Sequence, residues 1–590
     1  MSVYWERNRQ RQASRRRFLG GVAAAGAGAA GLALVGCGGD DNGGKSGLAG
    51  LATPTPPSTT ATAADPFANA KRGGTFNAYN TGDPPSIDPY GNVSFLTKTF
   101  SAFVYSRLYK YKAGPGFVPS TVRPTPDLAE GAENTPDGLT WTVKLKKGVK
   151  FQNVSPVNGR EVTSDDVKFS WSKQTDPKNG NRSQMDFVDK VEFPDASTVV
   201  FTLKTPNVVF LDVLADTNLL WIMPAEAGGK FDPAKTAIGS GPWILDNYTP
   251  SVGFKFKKNP DWYVKGFPLF DAVEYPIIPE YANYLAQFRA GNLDYSGLNA
   301  SDLVDTKQAV KDVQLYGVVA QQNNYVYFDS DPSSPWAKDD RVRQAVSMSL
   351  DRDALTDVGY EIKKLRAAGI DAQGPWNNII PAGMTRFWLD PQSKDQGDTA
   401  RFFKYDPAEA KKLLAAAGFA EGFSTVYQYT ANRYGKAFND IGEATNGYLN
   451  QIGIKTSVDI QDYNSKYFTQ TFVGNFKGIA YGLETPFSEA GPYAIRLFTD
   501  NPNNHSRIKD PVLEKLAHDQ QLESNEEKRK QIFWDIQREN AKHMYYIPNQ
   551  AGAATTWTGY QPYIRNGVEY QTSGYGAPTE TFPYRWSARV

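Results

Sequence analysis

Among 590 residues the chain has one cysteine and three histidines. A single thiol forms no disulfide within the chain, so stability has to come from a buried core, which a chain of this length builds readily. An excess of either charge is also missing, since 64 Lys plus Arg stand against 63 Asp plus Glu. No basic field draws a phosphate backbone, and nucleic acid is excluded as an expected partner. Neither a G-x-S-x-G elbow nor an H-E-x-x-H helix occurs, and His505, His518 and His543 lie in one late region without ligand spacing, reading as surface or helix-end side chains. No catalytic residue, cofactor or metal ligand is expected. A carboxylate-pair glycoside hydrolase is the enzyme reading left open, because acids are plentiful enough to draw a pair anywhere.

What is present starts near the N-terminus. The stretch "ASRRRFLGG" carries Arg15 and Arg16 ahead of Phe18 and Leu19, the pattern of a twin-arginine export signal. The Gly- and Ala-rich run from Phe18 to Gly36 is apolar enough to enter a translocase but makes a weak permanent span; an uncleaved anchor is the competing reading. The run ends in Leu34-Val35-Gly36-Cys37, which resembles the lipobox of bacterial lipoproteins, with Cys37 the lipid-bearing first residue of the mature chain. Residues 38–70, rich in Gly, Asp, Asn, Thr, Pro and Ala, carry too little apolar surface to order themselves and read as a tether. The expected location is the periplasm or the outer face of the cytoplasmic membrane, with a lipid anchor.

Beyond the tether, strand and helix signals alternate without a fixed period. "DGLTWTVKLKKGVKF" puts Leu139, Trp141, Val143 and Leu145 on one face, and "DASTVVFTLKTPN" does the same for Val199, Phe201 and Leu203, predicting two paired strands of one small sheet. Between them Thr163 and Asp166 have capping-box spacing and predict a helix start. In "DPAEAKKLLAAAGF", Asp406 caps, Pro407 takes the first helical position, Glu409 closes the box, Ala410, Leu413, Leu414 and Ala417 form a stripe, and Gly418 supplies the left-handed stop. "DDRVRQAVSMSLDRDAL" gives a further stripe through Val342, Ala345, Val346, Ser349 and Leu350, its charges read as solvated or paired across turns.

Several stretches in order resemble the family 5 extracytoplasmic solute-binding proteins of ABC importers. "RGGTFNAYNTGDPPSIDPY", "FVYSRLYKY", "TPDLAEGAENTPDGLTWTVKLKKGVKF", "IGSGPWILDNY" with "KKNPDWYVKGFPLFDAVEY", "FRAGNLDY" and "YDPAEAKKLLAAAGF" carry the resemblance, from about Arg72 to Pro548. It implies an α/β, bilobed periplasmic-binding-protein-like fold with two mixed-sheet lobes joined by a hinge. Lobe I would take 71–115, 233–318 and 548–590, a small subdomain 116–232, and lobe II 319–547, with hinge segments near Tyr316 to Asn324 and near Tyr546. It further implies a monomer that encloses a dipeptide or oligopeptide, works with an ABC permease, and is not an enzyme.

In the family's peptide binders a tryptophan followed three residues on by an aspartate meets the ligand ammonium; here Tyr481 and Glu484 hold those positions, with Gly482 between them. A carboxylate in a closed cleft is costly until a cation joins it, so such a site would select for an ammonium. A solvated loop acid is the competing reading of Glu484. Asn92 and Val93 match the strand end that lines the first lobe, where backbone groups would pair with a peptide main chain; Asn92 reads equally as a turn residue. Trp336, Trp376, Trp388, Tyr427 and Tyr429 are candidate cleft walls, with core packing the default, and Asp329 sits close to the hinge. An oligosaccharide stacked on such rings is the alternative ligand.

Overall fold

In the computed structural model the described residues are 67–111, 123–484, 487, 489–501, 504–550, 554–567 and 577–589. Arg15, Arg16, Cys37 and the tether up to residue 66 lie outside them.

The chain enters through strand β1 (Thr75–Asn77) and helix α1 (Phe95–Val104), capped by the Ser94 hydroxyl, which accepts from the Leu96 amide. It then builds a separate antiparallel sheet from β2 (Ala129–Asn134), β3 (Thr140–Leu145), β4 (Val188–Asp195) and β5 (Thr198–Leu203), in the order β2-β3-β5-β4. The alternation read from sequence is the reason: Trp141, Val143, Leu145, Val199, Phe201 and Leu203 all turn inward, and Trp141 stands opposite Phe201 in register. Helix α2 (Ser164–Gln174) crosses this sheet's connection, and the Asp166 carboxylate accepts from the Thr163 amide at 2.9 Å, as capping predicts. Helix α3 (Phe210–Ala215) sends Phe210 into the same core, its ring 5.2 Å from Trp141.

Returning, β6 (Trp243–Thr249), β7 (Gly253–Lys258) and β8 (Ala272–Pro276) complete a mixed sheet with β1, which runs parallel to β8. Phe103 of α1 stacks on Phe256 of β7 at 4.2 Å, so helix and sheet share one aromatic core. Strands β9 (Tyr295–Leu298) and β10 (Gln314–Val319) end this half.

The second half is built on a five-stranded mixed sheet. Its elements in order are β11 (Asn324–Phe328), α4 (Asp340–Met348), α5 (Pro407–Ala416), β12 (Phe423–Thr430), α6 (Lys436–Gln451), β13 (Ile454–Gln461), β14 (Ile479–Leu483), α7 (Gly491–Phe498), α8 (Pro511–Leu522), α9 (Glu526–His543) and β15 (Ile547–Asn549). Strand order is β13-β12-β14-β11-β15, with β12 parallel to both neighbours and β11 antiparallel to both of its own. Because β11 is covered on both faces it is buried throughout: Val326 and Phe328 enter one core, Tyr325 and Tyr327 the other. Helix α5 begins as read, with the Asp406 carboxylate accepting from the Glu409 amide at 2.8 Å, and ends at Gly418 with φ +91°. Glu409 does not close the box; it pairs instead with Lys412 at 3.1 Å, one exposed turn away.

From β15 the chain crosses back to β16 (Thr555–Tyr560), which pairs with both β9 and β10. Among the described residues, therefore, the halves are linked after β10, at residues 320–323, and again between β15 and β16. At the first, Gly383 packs so closely on the Ala320 carbonyl that a Cβ there would stand 2.3 Å from it. The architecture is the expected bilobed α/β one with a small third sheet. Among the described residues no helix is long and apolar enough to cross a membrane.

Candidate functional site

The late candidates sit at the end of β14. Tyr481 lies opposite Val326 and stacks on Phe438 at 4.4 Å; its hydroxyl donates to the Phe438 carbonyl and accepts from the Asn324 amide. It is fully buried, and burial raises its pKa well above the usual phenol range. Gly482 is a glycine because a Cβ would stand 1.8 Å from the Tyr467 hydroxyl oxygen.

Glu484 follows directly, and it is 1% exposed, so it is not a solvated loop acid. Its Oε2 lies 2.7 Å from His505 Nε2 and its Oε1 3.2 Å from Arg496 Nε, while its backbone amide donates to the Asn323 carbonyl at the first crossing. One cation of the chain itself, Arg496, and the His505 ring already meet this acid. His505 is 2% exposed, which corrects its reading as a surface histidine, and its other ring nitrogen faces the Phe472 carbonyl. Sequence spacing hid the cluster because its three members come from three different segments.

The early candidates are arranged differently. Asn92 is exposed, and its Oδ1 accepts from the Ser94 amide at 2.7 Å, a turn that leads into α1. Val93 is half-buried beside Gly180. Tyr481, Gly482 and Glu484 are thus brought together on β14, and among the described residues no hydrogen bond joins them to Asn92 or Val93. Beneath the Asn92 loop lies a charged layer that sequence reading missed. Lys98 is buried, its amine pulled down to about 8 by burial against the pull of Asp88 and Asp216. Arg107 pairs with Glu580 at 2.5 Å and stacks on Trp221 at 4.3 Å. A small solvent-open pocket beside it is lined by Lys110, Asp127, Trp262 and Tyr263, and its Lys110 is already paired with Asp127 at 2.9 Å.

A further set of charges spans α3 and the α7–α9 region. The Val208 amide donates to the Gln521 carbonyl at 2.9 Å, tying the small sheet's loop to α8. Nearby, Asp212 accepts from the Tyr111 hydroxyl at 2.8 Å, and Glu489 pairs with Arg529 at 2.7 Å. Burial, followed by the charge of Glu489, pushes the Asp212 carboxyl up to about 6. Burial works to raise Glu489 as well, but Arg529 outweighs it and holds that carboxyl below the usual range.

The remaining candidates are structural. Trp336, Tyr427 and Tyr429 are core residues, and Trp376 and Trp388 pack against the cores from their edges. Asp329 accepts from the Gly478 amide at 2.6 Å and from the Ser334 hydroxyl. Arg352 departs from the solvated reading: it is buried, among the described residues it has no carboxylate partner, and it donates to the Ser347 and Phe403 carbonyls.

Residues 123–505 match the model of the family described as bacterial extracellular solute-binding proteins, family 5 middle. The chain is 28% identical over 359 residues to the oligopeptide-binding protein AppA of Bacillus subtilis (strain 168), covering 57% of this chain and 61% of that one. It is 28% identical over 344 residues to heme-binding protein A of Haemophilus influenzae, covering 55% and 58%. The chain thus spans about three fifths of the length of these two relatives. A solved structure of the periplasmic binding protein AgaA from A. tumefaciens R10, in complex with agropinic acid, superposes with a TM-score of 0.69 at 22% identity, covering 87% of this chain and 99% of that one.

Proposed function

Because the chain belongs to the family 5 bacterial extracellular solute-binding proteins, we propose that it is the solute-capturing component of an ABC importer, enclosing a dipeptide or oligopeptide between its two lobes and handing it to a membrane permease. The observation that carries this reading is that two halves, each built on its own mixed sheet, are joined at 320–323 and between β15 and β16, an arrangement suited to closure as bodies with few backbone angles changing. The peptide class is supported by the relative named for oligopeptides. In this reading Asn92 and Val93 line one wall of the cleft and the end of β14, with Tyr481, Gly482 and Glu484, the other. Export by way of Arg15 and Arg16 and lipid attachment at Cys37 belong to the same proposal, since a tether raises the local concentration beside the permease.

Glu484 enters as an acid already in use, so a ligand ammonium would share a carboxylate that Arg496 pairs with and the His505 ring meets. Recognition then rests on main-chain pairing more than on one unmet charge. That same observation favours a second reading, an oligosaccharide ligand that brings no cation. Mass spectrometry of the small molecules released when the purified protein is denatured separates the two. Recovered peptides support the first reading; recovered sugars keep the capture role and discard the peptide.

A further inference from the structure

We propose a divalent-metal site, separate from the β14 cluster, made by Asp510, Glu539 and His543. One ligand atom of each lies within 4.8 Å of the other two. It is not legible in the sequence because Asp510 is the N-cap of α8, whereas Glu539 and His543 stand one turn apart on α9.

The surroundings point to a cation at this spot. Both ring nitrogens of His543 face carboxylates: Nδ1 faces Asp340 of α4, and Nε2 lies 3.1 Å from Glu539 Oε1. A carboxylate on Nδ1 fixes the tautomer and leaves Nε2 as the ligating atom, the arrangement that orients histidines in metal sites. Asp510 is 8% exposed and, among the described residues, pairs with no lysine or arginine; its carboxylate receives only the Val512 and Leu513 amides and the Tyr545 hydroxyl. With no lysine or arginine on this buried carboxylate among the described residues, a metal ion would meet its charge in place of the His543 proton. The Tyr545 hydroxyl, at 3.1 Å, orients that carboxylate as an outer partner would. Asp340 already holds Arg343 and Glu539 holds Lys542, so of the three acids Asp510 is the one whose charge the site's cation answers.

One imidazole nitrogen and two carboxylate oxygens suit Zn²⁺ or a similar borderline ion, with a fourth position left to water. Metal–ligand bonds of about 2.0–2.2 Å would draw the three side chains slightly together. The ion would clamp α8, α9 and, through Asp340, α4, just ahead of β15, the strand that leads into the second crossing. Its role is structural.

The test uses the full chain without a polyhistidine tag, stripped of metal, then titrated with Zn²⁺ and separately with Co²⁺. The expected result is one equivalent of zinc retained through desalting, a higher unfolding temperature, and the intense visible bands of four-coordinate Co²⁺. Glu539→Gln, which keeps size and a donor or acceptor at that position, is expected to lose the Co²⁺ bands and the thermal shift while retaining the wild-type circular dichroism spectrum. Absence of retained zinc and of Co²⁺ bands in the wild type would overturn the site and leave a shared proton as the occupant. Binding that survives both Glu539→Gln and His543→Ala would place the metal elsewhere and overturn it too.

Discussion

Replacing Glu484 by Gln removes the carboxylate charge that, among the described residues, pairs with Arg496 and lies against the His505 ring. The acid is 0% exposed at its side chain, His505 2% and Arg496 14%, so water screens the loss poorly. Breaking a buried ion pair on one side costs roughly 3–5 kcal/mol because a charge is left uncompensated. Arg496 keeps some compensation, since its guanidinium lies 5.3 Å from the Phe472 ring and 5.7 Å from the Phe487 ring. The expected cost is therefore about 2–3 kcal/mol, at and just below the lower end of that range. At about 2–4 °C per kcal/mol for a body of roughly 200 residues, the transition that unfolds the second half should fall by about 4–12 °C. Calorimetric unfolding of Glu484→Gln, Arg496→Met and the double variant checks this. The double variant should recover much of the loss, because it removes the orphaned cation. An unchanged melting temperature, together with lost ligand affinity, would refute the reasoning and show the carboxylate to be held for a ligand cation.

Three other outcomes follow from the packing and the charges. Gly482→Ala places a Cβ 1.8 Å from the Tyr467 hydroxyl and should destabilise by about 1–3 kcal/mol, with Tyr467→Phe in the same chain restoring part of it in urea denaturation. Arg529→Met leaves buried Glu489 without its partner and should cost about 3–5 kcal/mol; since Glu489 is held below its usual range, the contribution is present at neutral pH and fades in the wild type only as pH falls below that range. Asp212 has the opposite sign: its folded carboxyl sits at about 6, above its unfolded value of about 4, so it favours folding when protonated and weighs against folding as pH rises through 6. Its side chain is only partly buried, which screens the effect, so Asp212→Asn should stabilise the protein by about 1 kcal/mol at pH 7.5 and not at pH 4, read as the difference in urea midpoints at the two pH values.

The small sheet was legible because its two faces differ: alternation at 140–145 and at 198–203 leaves one apolar row on each strand. The starts at Thr163 and Asp406 were legible because caps are local. Glu409 was misread for the same reason, since Lys412 offers the same carboxylate a nearer partner. The tyrosines and tryptophans resisted assignment because an aromatic ring suits a cleft and a core equally by composition; burial decided for Trp336, Tyr427 and Tyr429. The ion clusters were least legible. Glu484 meets Arg496 and His505, and Asp212 meets Glu489 and Arg529, only after the chain has folded back over long separations, and no spacing rule reaches that far. Arg352 shows the converse, a charge read as solvated that the α4 region buries against carbonyls.

The central claim is capture without chemistry. Its most direct test takes the small molecule recovered from the denatured protein, returns it to ligand-free protein in a calorimeter, and recovers it again for mass spectrometry. The account predicts one molecule bound per chain, a smaller radius of gyration in solution scattering when it is bound, and a ligand returned with its mass unchanged. A ligand converted to products, or a chain that binds it with no change in radius, would contradict it.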